Sequence, residues 1–296
     1  MKPRFLPRIL LVCLFLMFAF LAAAIPLPLM EAETKGGRLA ILGSIHVLSP
    51  EDYPLDPEIE RAFAEAELLL FETDVAALEG PEALNRLMLK AAYPPGKSLK
   101  SELSSDLYVE LERVFTEFGL GIAPFNRFRP WFIQLFLTMS HLVELDFDPE
   151  LGLDTYLYRK ATEQGKAYAG LESVEEQLCL LQSLDGAHQE ALLWSVIDEL
   201  DAGEEAFSSL VEAWRRGDIE GLQREVDSLR EYPELYNQLI LDRNRRWAAQ
   251  IPGYLEPGKD LLVVVGAGHL GGEEGLIALL ENQGYRFRQV ESAAAD

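Results

Sequence analysis

The chain contains four histidines, and two of them stand in the same local setting. Leu39 to Leu42 is followed by Gly43-Ser44-Ile45-His46, and Leu261 to Val265 by Gly266-Ala267-Gly268-His269. Each is an apolar run, then a glycine, two residues and a histidine. Glycine lets the chain turn sharply as it leaves a strand. The histidine then sits in the loop beyond the strand's carboxyl end, the edge at which open α/β sheets bind ligands. Carboxylates occur at equivalent places. Leu68 to Phe71 delivers Glu72, with Asp74 just behind, and Ala167 to Leu171 delivers Glu172. If these strands run parallel, His46, Glu72, Glu172 and His269 converge on one rim. Two neutral imidazoles with one or two carboxylates suit a divalent metal such as zinc, manganese or cobalt. An open coordination position would acidify a water, and a second carboxylate would serve as general base.

Each of these residues also has an ordinary reading. A loop histidine is often only a surface or cap residue. An acid after a strand often caps the next helix; this applies to Glu72, and to Glu172 as first-turn acid of a helix starting near Ser173. His141 and His188 fall in helical stretches and read as structural or exposed. Gly266-Ala267-Gly268-His269-Leu270-Gly271 also matches the G-x-G-x-x-G dinucleotide fingerprint, with Glu291 near the place of a ribose-binding acid. That fingerprint normally opens its fold, whereas little chain follows it here. No H-E-x-x-H, G-x-S-x-G or P-loop is present, so serine-hydrolase and nucleotide-hydrolase readings have no support.

The elements that position these groups follow from periodicity. Arg38 to Leu42 reads as a buried strand. Pro57 to Glu67 reads as a helix, with Ile59, Ala62, Phe63 and Ala66 at helical spacing, Asp56 as its cap and Pro57 at its first position. Leu68 to Phe71 is a second strand, making a parallel strand–helix–strand unit. The middle is mainly helical, broken at Pro94-Pro95 and Pro124, with Phe125 to Phe136 as core or groove lining. Gly165 to Leu171 reads as a short strand. Val174 to Ile251 reads as helical with breaks at Gly186, Gly203 and Gly217. Leu261 to Val265 is a central buried strand, Gly272 to Gln283 a helix stopped by Gly284, and Tyr285 to Val290 the strand that closes the sheet. The fold class is therefore α/β: a mixed, largely parallel sheet built from both chain ends, with a helical insert or cap between them.

Composition bounds the setting. The 296 residues carry a net charge of -23, which disfavours nucleic acid and anionic lipid as partners. Lys2, Arg4 and Arg8 precede an unbroken apolar run, Ile9 to Ile25, which reads as a signal peptide or a single N-terminal membrane anchor. Ala22-Ala23-Ala24 offers a cleavage site. Either form exports the body of the chain to a periplasmic or other extracytoplasmic site, soluble or tethered through that segment alone. The organisation is residues 1–30 as leader or anchor, 31–37 as linker and 38–296 as one domain, with its helical section at about 78–251. Cys13 lies in the apolar run. Cys179, the other cysteine, sits in an apolar helical stretch and reads as a buried core residue.

Together these blocks resemble the TraB/GumN family. Leu42 to Val47, Tyr53-Pro54-Leu55 and Leu69 to Asp74 resemble its opening. Gly152-Leu153-Asp154, Gly165-Lys166 and Leu171-Glu172-Ser173 resemble its middle. Arg243-Asn244 with Trp247 resembles the motif before its last strand, and Val264 to Leu270 with Gly271, Gly275 and Gly284-Tyr285 its closing block. Ser44 departs from the common threonine, and Phe71 from the usual aliphatic residue. The resemblance implies kinship with the Tiki proteins, membrane-tethered metal-dependent proteases, and more distantly with erythromycin-esterase-like and ChaN-like folds. It implies His46, His269 and Glu72 as active-site residues. Arg243 and Asn244 match a pair that lines the site, with Arg243 suited to a developing oxyanion.

The expectation is thus an exported metal-dependent hydrolase, peptidase-like, acting on a peptide or protein. His46, Glu72 and His269 hold a divalent ion (Mn, Co or Zn), and Arg243 assists. Two rivals stand beside it. One is a non-catalytic protein of the same fold that binds a metal, haem or peptide. The other is a metal-free hydrolase using histidine and glutamate as acid and base.

Overall fold

In a computed structural model of the chain, residues 25–292 are described, apart from 79 and 146. The apolar run up to Ala24, with Cys13 and the alanines of the cleavage site, lies outside the described residues. No helix among the described residues is long and apolar enough to cross a membrane.

The described residues open with β1 (Pro26–Glu33) and turn back as β2 (Arg38–Ser44). Next comes α1 (Pro57–Glu65), whose N-cap Asp56 accepts the Glu58 N–H at 2.8 Å. It leads into β3 (Leu68–Thr73). The first helical block is α2 (Gly80–Ala91), α3 (Leu99–Glu102), α4 (Ser105–Glu117), α5 (Pro130–Glu144) and α6 (Leu153–Gln164). It returns to the sheet as β4 (Ala167–Glu172). The second block is α7 (Val174–Ser183), α8 (Gly186–Ala202), α9 (Glu204–Arg215), α10 (Ile219–Asp227) and α11 (Pro233–Tyr236). A π turn at Asn237–Leu241 then feeds α12 (Asp242–Gln250). The chain closes with β5 (Leu261–Gly266), α13 (Leu276–Glu281) and β6 (Phe287–Glu291).

The six strands lie in the order β4-β3-β5-β2-β1-β6. Four of them, β4, β3, β5 and β2, are parallel, and β1 runs antiparallel to both β2 and β6. Leu39 and Leu68 both pair with Leu261, so these strands start level. They end level too: Ser44 pairs with Gly266 and Thr73 with Glu172. The sheet is thus mixed, largely parallel and drawn from both chain ends, with the helices between.

Alternation along the strands supplies two apolar faces. Leu42, Leu69, Phe71, Leu262 and Val264 pack with Ile59, Phe63, Leu157 and Trp214 from helices on one side. Leu39, Ile41, Leu70, Val263 and Val265 pack with Trp247, Leu276 and Leu280 on the other. A third cluster, including Leu107, Phe115, Trp131, Leu193 and Val196, lies within the helical blocks. The insert therefore has a core of its own, and it includes part of the Phe125–Phe136 aromatic run.

Three expectations are corrected. Among the described residues a strand precedes Arg38: residues assigned to the leader and linker form β1 from Pro26, with Leu27, Leu29 and Ala32 buried. The prolines masked this. Pairing with β2 starts only at Leu29, so Pro26 and Pro28 lie outside that ladder, where their missing N–H costs nothing. The last helix is shorter than Gly272–Gln283, because Gly272 (φ +81°) and Gly275 form a tight turn first; a Cβ on Gly275 would fall 2.1 Å from the Gly271 carbonyl oxygen. Cys179 is exposed, not buried. Helix α7 turns Val174 and Leu178 inward, and the next residue lies about 100° further round.

Candidate active site

The carboxyl ends of the four parallel strands form one edge, and the expected rim residues all lie on it. Glu72 comes from the end of β3 and Glu172 from the end of β4. His46 follows β2 by two residues, and His269 closes a single 3-10 turn after β5. The glycine-rich segment after β5 enters this short turn and not a long helix, so it lacks the frame of a dinucleotide fingerprint.

Arg243 organises the edge from across the gap. It stands in the first turn of α12, directly after the π turn, a distortion that often marks functional positions. Its Nη2 donates to Glu72 Oε2 at 2.5 Å and to Glu172 Oε1 at 2.7 Å. Its Nε donates to the same Glu172 oxygen at 2.9 Å, and its Nη1 to His269 Nε2 at 3.1 Å. The second Glu172 oxygen accepts from Arg246. Glu72 Oε1 accepts the Gly266 N–H at 2.6 Å. The guanidinium also lies over the Trp247 ring, which tilts against His269.

These contacts determine the state of His269. Arginine has only donors, so Nε2 accepts and Nδ1 carries the proton. Nδ1 donates to Asn244 Oδ1 at 2.7 Å, and Asn244 Nδ2 donates to the Glu274 carbonyl, which orients the amide. Burial, reinforced by the charges of Arg243 and His46, brings the imidazole pKa down to about 4. His269 is thus neutral near pH 7. Burial opposes ionisation of Glu72, but Arg243, the two histidines and the Gly266 N–H outweigh it and hold its pKa at about 2. Such a carboxylate is a poor proton acceptor and a good anionic ligand.

His46 stands apart. Glu72, Glu172, Asn244 and His269 are buried, whereas the His46 side chain is 72% exposed. Its Nδ1 is held at 2.9 Å by Asp154 Oδ2, and Asp154 Oδ1 accepts from Ser44 Oγ at 2.6 Å. Asp154 lies in the first turn of α6, and the Leu153 N–H bonds the Ile45 carbonyl, which ties that helix to the β2 loop. The Asp154 carboxylate raises the His46 pKa to about 9. So the structure joins Glu72, His269 and Arg243, with Glu172 and Asn244, in one hydrogen-bonded cluster. His46 faces that cluster without bonding to it.

The sequence patterns assign no role to Asp154, Arg246 or Trp247. Asp154 was visible only as part of a Gly-Leu-Asp block, and nothing local ties it to a histidine 108 positions earlier.

The donor set fits a divalent ion in kind. Both histidines have Nδ1 engaged by a side-chain oxygen, which leaves Nε2 as the ligand atom, the usual arrangement around metal-bound imidazole. Glu72 Oε1 lies 3.9 Å from His269 Nε2. Arg243 now shares the lone pairs of both residues, so an ion has to displace part of its contacts. Elsewhere, Asp185, His188 and Glu234 bring three ligand atoms within 4.8 Å of one another. There Asp185 caps α8, accepting the His188 N–H and contacting its Nδ1, so helix capping accounts for most of that contact.

A model of the TraB/PrgY/gumN family matches residues 28–289. The uncharacterized protein YbaP of Escherichia coli is 25% identical over 255 residues, covering 86% of this chain and 92% of its own. Metalloprotease TIKI2 of Danio rerio is 23% identical, covering 84% of this chain and 58% of its own. Metalloprotease TIKI1 of Homo sapiens is 24% identical, covering 86% and 59%. The chain thus spans a little over half the length of these two TIKI relatives. No solved structure matches at a comparable level of significance.

Proposed function

From the premise that this chain belongs to the TraB/PrgY/gumN family, we propose that it is a metal-dependent hydrolase acting on peptide bonds. The observation that carries this reading is the convergence of Glu72, His269 and Arg243 at the level ends of the parallel strands, with His46 facing them. The relatives named metalloproteases support the same class. His46, Glu72 and His269 would hold the ion, and Asp154 and Asn244 would orient the two imidazoles. A divalent ion would supply Lewis acidity there. Arg243 binds the substrate carbonyl and stabilises the oxyanion that develops on it. Glu172 keeps the guanidinium oriented while it does so. The body of the chain works outside the cytoplasm, consistent with its basic, then apolar N-terminus.

The first test combines metal content and peptide cleavage on the purified chain, its His46→Ala and its His269→Ala forms. The expected result is about one ion per chain, activity lost to chelator and restored by one particular ion, and both properties lost in either variant with the fold intact. A second reading has its own observation: Arg243 already donates to the atoms an ion would use. On that reading the site is a metal-free hydrolase, with histidine and carboxylate as acid and base, and chelator leaves activity unchanged. Stabilisation by ligand without turnover of any peptide would instead indicate a binding protein.

A further inference from the structure

Between the strand edge and the helical blocks lies a cavity of about 430 Å³, within the usual range for small-ligand sites. Its floor is the rim itself: His46 beside Gly266 and Gly268. Its walls are apolar, supplied by Leu142 of α5, Leu200 of α8, Leu210 of α9, and Val226 of α10. The glycines let the wall come this close. A Cβ on Gly268 would meet Val226 Cγ2 at 2.3 Å. Leu210 and Val226 are only half-buried, although the helices that carry them are packed. Both line the cavity.

Thr138, His141 and Glu199 interrupt these apolar walls. Of the buried side-chain polar atoms without a partner among the described residues, His141 Nε2 is the one on a residue that lines this cavity. Leaving a buried imidazole nitrogen unsatisfied costs about 1–3 kcal/mol, so the position calls for a partner. Nε2 is covered in this structure; once the ring turns toward the cavity, a phenol hydroxyl, which both donates and accepts, satisfies it in either tautomer.

We infer that this cavity is the specificity pocket of the rim. It takes one large side chain of a peptide substrate, next to the bond that is cut, and prefers tyrosine to phenylalanine and phenylalanine to alanine. The proposal rests on the hydrolytic reading for its placement beside a scissile bond. The pocket's own selectivity is separable from turnover.

The test therefore has a binding arm and a cleavage arm, both on the full chain. Binding of N-acetyltyrosinamide, N-acetylphenylalaninamide and N-acetylalaninamide is measured by calorimetry. Tyrosine is expected to bind most tightly, phenylalanine on the order of tenfold more weakly and alanine weakest. Leu210→Trp and Val226→Phe fill the void from two different helices and should each weaken tyrosinamide binding at least about tenfold, with unchanged circular dichroism. His141→Leu should abolish the difference between tyrosine and phenylalanine while both still bind. Cleavage of peptides differing at one residue should follow the same ranking in kcat/KM. Equal affinity for the three amides, or tyrosinamide binding untouched in both filled variants, overturns the pocket. The predicted binding pattern without cleavage of any peptide supports the pocket and overturns the hydrolytic reading. Cleavage with no ranking among the peptides does the reverse.

Discussion

At the scale of single residues, Arg243 is the most exposed to test. Its guanidinium satisfies two buried carboxylates and an imidazole at once. Arg243→Ala leaves Glu72 and Glu172 buried without that cation, a loss of about 3–5 kcal/mol in a denaturant titration, and cuts kcat/KM by about 100- to 1000-fold. Arg243→Lys keeps the charge but not the fork of donors, so it should recover more stability than activity. If Arg243→Ala turns over like wild type, the oxyanion role is wrong. His46 supplies a pH test. Its pKa in the fold, about 9, lies above the ordinary 6.5 because of Asp154. The stabilisation from that pair is therefore complete below pH 6.5 and is lost as pH rises through about 9. In metal-free protein the Tm gap between wild type and Asp154→Asn should be widest near pH 6 and narrower at about pH 10. A gap that widens with pH would show that Asp154 does not stabilise the imidazolium.

At the scale of elements, the strand ends matter more than the helices. Gly170 lies where β4 presses on the end of β3: a Cβ there would sit 2.6 Å from the Asp74 nitrogen and 2.8 Å from the Thr73 carbonyl carbon. Both are backbone atoms, so Gly170→Ala must part the strands. It should cost about 1–3 kcal/mol and lower activity by shifting Glu172, two residues on. β1 gives a second test. A chain starting at Glu31 loses Leu27 and Leu29, both buried, and the Pro26 to Glu291 pairing. Relative to one starting at Ile25 it should lose about 2–5 kcal/mol for each leucine. Equal Tm values for the two forms would return those residues to the leader or anchor.

At the scale of the whole molecule, the charge of -23 is the dominant feature. Repulsion among carboxylates opposes compaction and is screened over about 10 Å at 0.1 M salt. Raising KCl from about 0.01 to about 0.3 M should raise Tm by a few degrees; a flat or falling trend would mean that local ion pairs already compensate. One part of the insert has a core of its own, while α6, α9 and α12 pack on the sheet, and the cavity lies between the strand edge and the helices. On the proposed reading, substrate selection and chemistry are built from different layers of one chain.

The rim residues His46, Glu72, Glu172 and His269 were legible in the sequence because the two acids follow an apolar run directly and the two histidines follow one after a glycine and two residues. The largely parallel class of the sheet followed from the strand–helix–strand pattern of Arg38 to Phe71. Glycine sterics and strand periodicity act over a few residues, so such patterns survive without knowledge of the fold. The reading failed where signals conflict over short range: prolines hid β1, and one step round a helix put Cys179 outside. It could not reach the partners. Arg243 meets Glu72 across 171 positions and Glu172 across 71, and Asp154 meets His46 across 108. Those pairings depend on the order of strands in the sheet and on where the insert returns to it. That choice is made by burial of the whole core, which no short segment encodes. The sequence alone therefore determined which groups stand at strand ends; only the tertiary structure decided that one guanidinium gathers three of them while His46 is held apart at the mouth of an apolar cavity.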